Sequence, residues 1–260
     1  MKFSYQWLKE IARFKESPRE LADFLTLRAF EVERVEKIED DWAIEISGKT
    51  IGPRMADASG HIGMAREIAM LQGRAITQKP PKVQEHPRRT VAQALSIAVE
   101  SSDDCPRYMA RVMINVTPGP SPARIRARLD VCGIQSINNI VDAANYVMLE
   151  TGQPLHVFDF DSLAPAHATS KKIIVRRARE GERMIGLDEK HYPLDPHILV
   201  IADEETPLAI AGVKGGKGSG VSDTTHTIIL EAAHFDPSLI RASSQRIDLR
   251  TDASLRFERG

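Results

Sequence analysis

A histidine, an asparagine and a glutamate stand where side chains could do chemistry. His156 follows Gly152-Gln153-Pro154-Leu155, where glycine and proline force a turn after a helical run and present Gln153 and His156 beyond it. An imidazole there can exchange a proton near neutrality, or it can cap the helix and balance its dipole. Asn145 lies within the helical run, as an amide donor to a ligand or as part of a polar helix face. Glu231 closes the apolar run Ile228-Ile229-Leu230. Its carboxylate reads either as an edge-of-sheet charge in water or as a partly buried acceptor for a hydroxyl or ammonium group.

The run from Ala211 to Gly220 is rich in glycine and invites a phosphate-loop reading. A phosphate loop needs glycine five positions before its Gly-Lys pair and Ser or Thr directly after it. Around Gly216-Lys217 those positions hold Ala211 and Gly218, so the pattern fails. The expected role is a tight loop after a strand whose backbone walls a pocket. No two histidines stand at the His-x-x-x-His spacing of a metal site, and no metal is assigned. Four arginines between Arg246 and Arg259 could touch phosphates or form a solvated charged face.

The elements that must position these residues follow from periodicity. Ser17-Pro18-Arg19-Glu20 reads as a capping box with proline in the first turn. A helix follows it, then extended runs over 30–38 and 42–46 and a helix over 62–71. The polar, proline-rich stretch from Lys79 to Arg89 is the best linker. Beyond it, strands are predicted over 94–100 and 107–116, and helices over 121–132 and 137–149. Further strands are predicted over 172–178, 198–202, 207–213 and 225–230, and Asp236-Pro237 opens a last helix. Strands with interspersed helices and few βαβ repeats predict an α+β fold with mixed or antiparallel sheets. The expected division is an N-terminal helix and strand arm over 1–40 and a larger domain over 41–260.

The whole chain has 260 residues, 42% hydrophobic and 27% charged, which excludes disorder and fibrous repeats. Its net charge of -1 argues against a uniformly basic nucleic-acid binder, though not against a local basic groove. Two cysteines, Cys105 and Cys132, cannot frame a disulfide scaffold, and a reducing cytoplasm is expected. No apolar run approaches the roughly 20 residues of a membrane span, and the opening residues carry no signal-peptide core.

Longer motifs are more specific. The run from Asn138 to Asp159 closely resembles the beta subunit of bacterial phenylalanyl-tRNA synthetase. So do Cys105-Pro106-Arg107-Tyr108, the stretch Leu208 to Gly216, and Leu230 to Pro237. Leu249 to Ser254, Arg256 to Gly260, the opening Met1 to Ser4 with Trp7-Leu8, and Phe30 to Glu33 fit the same family. The resemblance implies that 41–260 is an editing domain, which hydrolyses tyrosine wrongly attached to tRNA(Phe). It implies that Glu231 reads the tyrosine hydroxyl, that His156 lies near the ester and the tRNA end, and that Asn145 lines the pocket. Gln153 is placed with the substrate, and Ala211, Gly212 and Gly215 leave room for an aromatic ring. The implied mechanism is attack by a water held by His156, Asn145 and backbone N–H groups, because Cys105 and Cys132 fall outside the pocket motifs.

By the same resemblance the partners are tRNA(Phe) and a synthetase alpha subunit, in a heterotetramer. No cofactor is expected in this chain, and ATP and Mg2+ belong to the complete synthetase. The family's oligonucleotide-binding insertion is not found after about residue 40, and the resemblance predicts that its C-terminal modules are missing from this sequence. The sequence also departs from the family within the site region. Ala144 stands where the family has threonine, and Gln135 where it has arginine. A hydroxyl and a cation are therefore missing. The alternative function is a non-catalytic scaffold or RNA-binding module of the synthetase; a nucleotide-binding enzyme using the glycine loop is a third reading.

Overall fold

The computed structural model describes residues 1–78, 80–165 and 168–260. Lys79, the first residue of the expected linker, lies outside the described residues. The chain forms two compact units. The first comprises Met1–Val83, Pro120–Gln153 and Arg259–Gly260, and the second Gln84–Gly119 and Pro154–Glu258. One crossing between them, Val83 to Gln84, falls inside the expected linker; two more fall at Pro120 and Pro154, and the last at Glu258 to Arg259.

Among the described residues the first unit holds strands β1 (Lys2–Ser4), β2 (Val32–Ile38) and β3 (Asp41–Ile46), antiparallel in the order β1-β3-β2. A cut at residue 40 would fall in the turn of the β2–β3 hairpin, where Glu39 takes a positive φ of 48°. The strands on either side pair from Val32↔Ile46 to Ile38↔Asp41, so the compact units divide elsewhere. The capping box forms as expected: Ser17 accepts from the Glu20 amide, and the Glu20 carboxylate accepts from the Ser17 amide at 2.7 Å. A helix over Tyr5–Ala12 was not expected; Ser4 caps it by accepting from the Trp7 amide.

His61 ties the unit together. It is wholly buried, and its Nε2 accepts from the Ser4 amide at 2.9 Å. That bond puts the ring proton on Nδ1, which donates to the Leu149 carbonyl at 2.7 Å. Trp7 lies between two rings, stacked on His61 at 4.0 Å and on Tyr146 at 4.3 Å, and the Arg128 guanidinium covers it at 4.6 Å. Leu149 and Tyr146 belong to the helix Asn139–Thr151. Asn138 caps its start by accepting from two amides, and Gly152 ends it at φ 88°.

The second unit holds β4 (Leu95–Val99), β5 (Arg107–Ile114), β6 (Leu155–Asp159), β7 (Lys171–Arg177), β8 (Arg183–Ile185) and β9 (His191–Pro193). It continues with β10 (Leu199–Ala202), β11 (Pro207–Ile210), β12 (Lys214–Gly215) and β13 (Thr227–His234). One sheet runs β12-β11-β10-β7-β4, with only the β4–β7 pair parallel. A second, antiparallel, runs β5-β13-β6, and β8 and β9 pair as a hairpin that the sequence reading passed over. The fold is α+β, as expected. Every residue of β10 is buried, so this strand is covered on both faces. Phe158 and Ile229 from the three-stranded sheet share one core with Ile173, Val175 and Ile201 from the five-stranded sheet.

Asp236 caps the helix Pro237–Arg246 by accepting from the Leu239 amide. The arginine-rich end is not a uniformly solvated face. It forms a helix, Asp252–Arg259, in which Arg256 is buried and bonded to Asp252, one turn earlier. No helix among the described residues is long and apolar enough to cross a membrane.

Candidate active site

The site is built on β13, the middle strand of its sheet. Glu231 stands in mid-strand, not at its end as the sequence suggested, because the strand runs on through Ala232, Ala233 and His234. Its register partners are His156 on β6 and Ala110 on β5. Directly opposed residues of an antiparallel pair point to the same face, so Glu231 and His156 share one. That face also carries Phe158, Ile229 and Ala233, which are core residues, and chemistry is thereby set against an apolar wall.

His156 does not cap the preceding helix. Gly152 does so through its own left-handed backbone, and the chain then runs through Pro154 into β6. The imidazole lies edge-on to Phe158, with ring centroids 4.6 Å apart. Burial pulls its pKa down to about 4, so the ring is neutral at physiological pH. No hydrogen bond reaches either ring nitrogen among the described residues. A neutral imidazole offers one N–H donor and one lone pair there.

Glu231 is 4% exposed. Burial raises its pKa to about 7, against the lowering effect of a hydrogen bond from Tyr108. That bond runs from Tyr108 Oη to Glu231 Oε2 at 2.8 Å. Sequence reasoning did not select Tyr108. It stands opposite Ala233 on β5 and reaches Glu231 along the diagonal of the ladder. Only strand pairing brings the two together, and a sequence carries no local signal of that.

A cavity of about 70 Å³ opens beside these groups. Its walls include His156, Gly212, Gly215, Glu231, Ala253 and Phe257. That is well above the roughly 10–15 Å³ a cavity needs to hold a water. Gly212 has φ 66°, and a β-carbon on it would meet Phe257 Cδ2 at 2.8 Å. Gly215 lies against the His156 ring, and Gly216 gives its amide to the Leu208 carbonyl at 2.8 Å. The glycine run is thus a strand–turn–strand wall. Ala211 is fully buried in the core and does not line the cavity.

Asn145 and Gln153 belong to the first unit, whereas the cavity belongs wholly to the second. Asn145 is half-buried in mid-helix, and Gln153 is exposed after Gly152. Cys105 is buried, and burial, with the Glu231 carboxylate, pushes its thiol up to about 11. It stays protonated at neutral pH and is a poor nucleophile. No three His, Cys, Asp or Glu side chains converge to hold a metal ion among the described residues.

Comparison with known proteins shows the family. The B3/4 domain family matches residues 104–260, more than half of the chain, and the chain belongs to that family. Its relatives are phenylalanine–tRNA ligase beta subunits, as the sequence motifs implied. It is 44% identical to the one from Anaeromyxobacter dehalogenans over 221 residues, 85% of this chain and 26% of the relative. It is 46% identical to the one from Solibacter usitatus over 221 residues, 85% of this chain and 28% of the relative. The chain therefore spans about a quarter of the length of the curated relatives it matches. Against the crystal structure of an N-terminal fragment of the phenylalanyl-tRNA synthetase beta subunit from Pyrococcus horikoshii, the TM-score is 0.48 at 14% identity, over 95% of this chain and 73% of that one.

Proposed function

We propose that the cavity is an editing site, which hydrolyses the ester of tyrosine mischarged on tRNA(Phe) in the cytoplasm. The observation that carries this reading is a buried glutamate opposed to a neutral histidine across one strand pair, beside a small cavity. Glu231 is the group that meets the tyrosine hydroxyl. A site built to hydrogen-bond a hydroxyl rejects the analogue without it strongly, because the buried partner is left unpaired. His156 holds the attacking water or the ester by hydrogen bonds. At a pKa of about 4 it is a weak proton acceptor, so its role is to orient.

The oxygen of water bonds to the ester carbon, and the bond from that carbon to the ribose oxygen breaks. The ribose oxygen leaves with a proton, and tyrosine departs as its carboxylate, the second proton passing to solvent. For Asn145 and Gln153, the resemblance alone supports a part in this reaction. The same relatives support tRNA(Phe) and a synthetase alpha subunit as partners.

A second reading, a scaffold without chemistry, rests on Ala144 and Gln135, which leave out a hydroxyl and a cation. Release of tyrosine from tyrosyl-tRNA(Phe) by the 260-residue chain separates the two. Turnover that His156→Ala and Glu231→Ala both abolish supports editing. Turnover that both variants keep in full removes these residues from the reaction, and no turnover at all favours the scaffold.

A further inference from the structure

We propose that Tyr108 is a positioning residue that turns Glu231 into a one-sided reader of a ligand hydroxyl. The proposal rests on the editing reading above. A carboxyl group has two oxygens and a broad, two-fold terminal torsion, so a free one presents either oxygen to a ligand. Here Tyr108 Oη donates to Oε2 at 2.8 Å, and no other hydrogen bond reaches the carboxyl among the described residues. One oxygen is fixed, and the other is left for whatever enters the cavity.

Three observations support a dedicated role. Towards the Glu231 carboxylate Tyr108 is the donor: burial, and then the Glu231 charge, hold its phenol well above the usual tyrosine range, so the proton stays on Oη. A buried carboxylate with a purely structural role commonly collects two or three donors, whereas this one has a single donor within the fold. The residue directly opposite Glu231 on β5 is Ala110, whose side chain carries no polar group, so Tyr108 supplies the bond by a diagonal reach. The phenol spends its one proton on Glu231 and cannot donate it to the ligand as well. Discrimination is thus divided between a residue that reads and a residue that aims it.

The test is calorimetric binding of free tyrosine and of phenylalanine to the full chain and to Tyr108→Phe, from pH 5 to 9. The parent is expected to prefer tyrosine. In Tyr108→Phe the preference should fall about tenfold, as the loss of one charge-assisted bond would give. The pH at which the preference changes should also move upward, because the bond that lowers the Glu231 pKa is gone. A purely structural role would change the unfolding temperature and leave the preference for tyrosine as in the parent.

Should Tyr108→Phe fail to fold, Glu231→Gln serves instead. Tyr108 would still claim the side-chain oxygen and leave the amide N–H to the ligand, so a preference for tyrosine should persist and become independent of pH. A parent that prefers tyrosine, with a Tyr108→Phe variant that keeps the same preference and midpoint, overturns the role of Tyr108 and leaves the editing reading standing. A folded Glu231→Gln without preference overturns it as well. A parent that binds both amino acids equally overturns the editing reading itself.

Discussion

The α-carbon of Gly215 lies so close to the His156 ring that a β-carbon on it would stand 2.5 Å from Cε1 and 3.0 Å from Nε2. β12 thus sets the imidazole by leaving no room on one side. Gly215→Ala should push the ring aside. A ring at the end of a side chain can move cheaply, so the unfolding temperature should change little. A misplacement of about 1 Å costs about a hundredfold in rate, and hydrolysis of tyrosyl-tRNA(Phe) should fall by that order. Single-turnover rates and a melting curve on the same sample check both halves.

Gly212 answers to packing as well as to backbone conformation. Its φ of 66° and its closeness to Phe257 Cδ2 and Ile240 Cδ1 both oppose a side chain. Gly212→Ala should cost about 2–4 kcal/mol, the sum of a left-handed residue and an overpacked core. Gly218 meets nothing within 4 Å, so Gly218→Ala should stay within about 0.5 kcal/mol of the parent. Urea unfolding of the two variants side by side is the check, and equal losses would count against this assignment.

Stability should depend on pH through Glu231 and His156 with opposite signs. His156 is lowered from 6.5 to about 4, so its contribution is full above pH 6.5 and is lost as pH falls towards 4. Glu231 is raised from 4.5 to about 7, so its contribution is full below pH 4.5 and is lost as pH rises through 7. Between pH 4.5 and 6.5 the two slopes oppose each other, and stability should be nearly flat on their account. Glu231→Gln removes the falling slope. In that window its stability should rise by up to about 1.4 kcal/mol per pH unit relative to the parent. Denaturant midpoints measured at several pH values would reveal a parallel, unshifted curve if the carboxyl did not titrate there.

In the first unit the expectation concerns His61. His61→Phe keeps a ring against Trp7 but strands the Ser4 amide and the Leu149 carbonyl. Two buried groups without partners cost about 2–6 kcal/mol. Guanidinium unfolding should show that loss, and a variant within about 0.5 kcal/mol of the parent, well below the cost of two unpaired groups, would mean that water replaces both bonds.

Local chemistry was legible in the sequence wherever a few neighbouring residues decide it. Ser17 with Glu20 and Asp236 with Pro237 each mark a helix start through bonds spanning one turn, and both are where expected; the helix expected over 137–149 starts later, because Asn138 caps it from outside. The short β8–β9 hairpin was not legible, because the residue of its turn that takes a positive φ, of 63°, is Glu189 and not a glycine. His156 looked like a helix cap because its neighbours are a helix and a turn; β13, far along the chain, makes it a strand residue. Glu231 looked like a strand end because Ala232, Ala233 and His234 are weak strand signals, yet pairing with Tyr108 and Arg107 extends the ladder through them. The resemblance to a family named the chemistry of Glu231, but only the ladder supplied its partner.

The pairing of β5 with β13 also fixes when the site can exist during synthesis. Tyr108 and Glu231 are 123 residues apart. At about 5–20 residues per second, the ribosome leaves β5 without its central neighbour for roughly 6–25 s. During that interval Met109 and Met113, which stay exposed even in the finished fold, lie on an unpaired strand edge. The cavity, the reader and its aiming tyrosine then arrive together, when β13 slots between two strands already made. A nascent chain stopped short of Thr227 has no partial site, only an edge waiting for its middle strand.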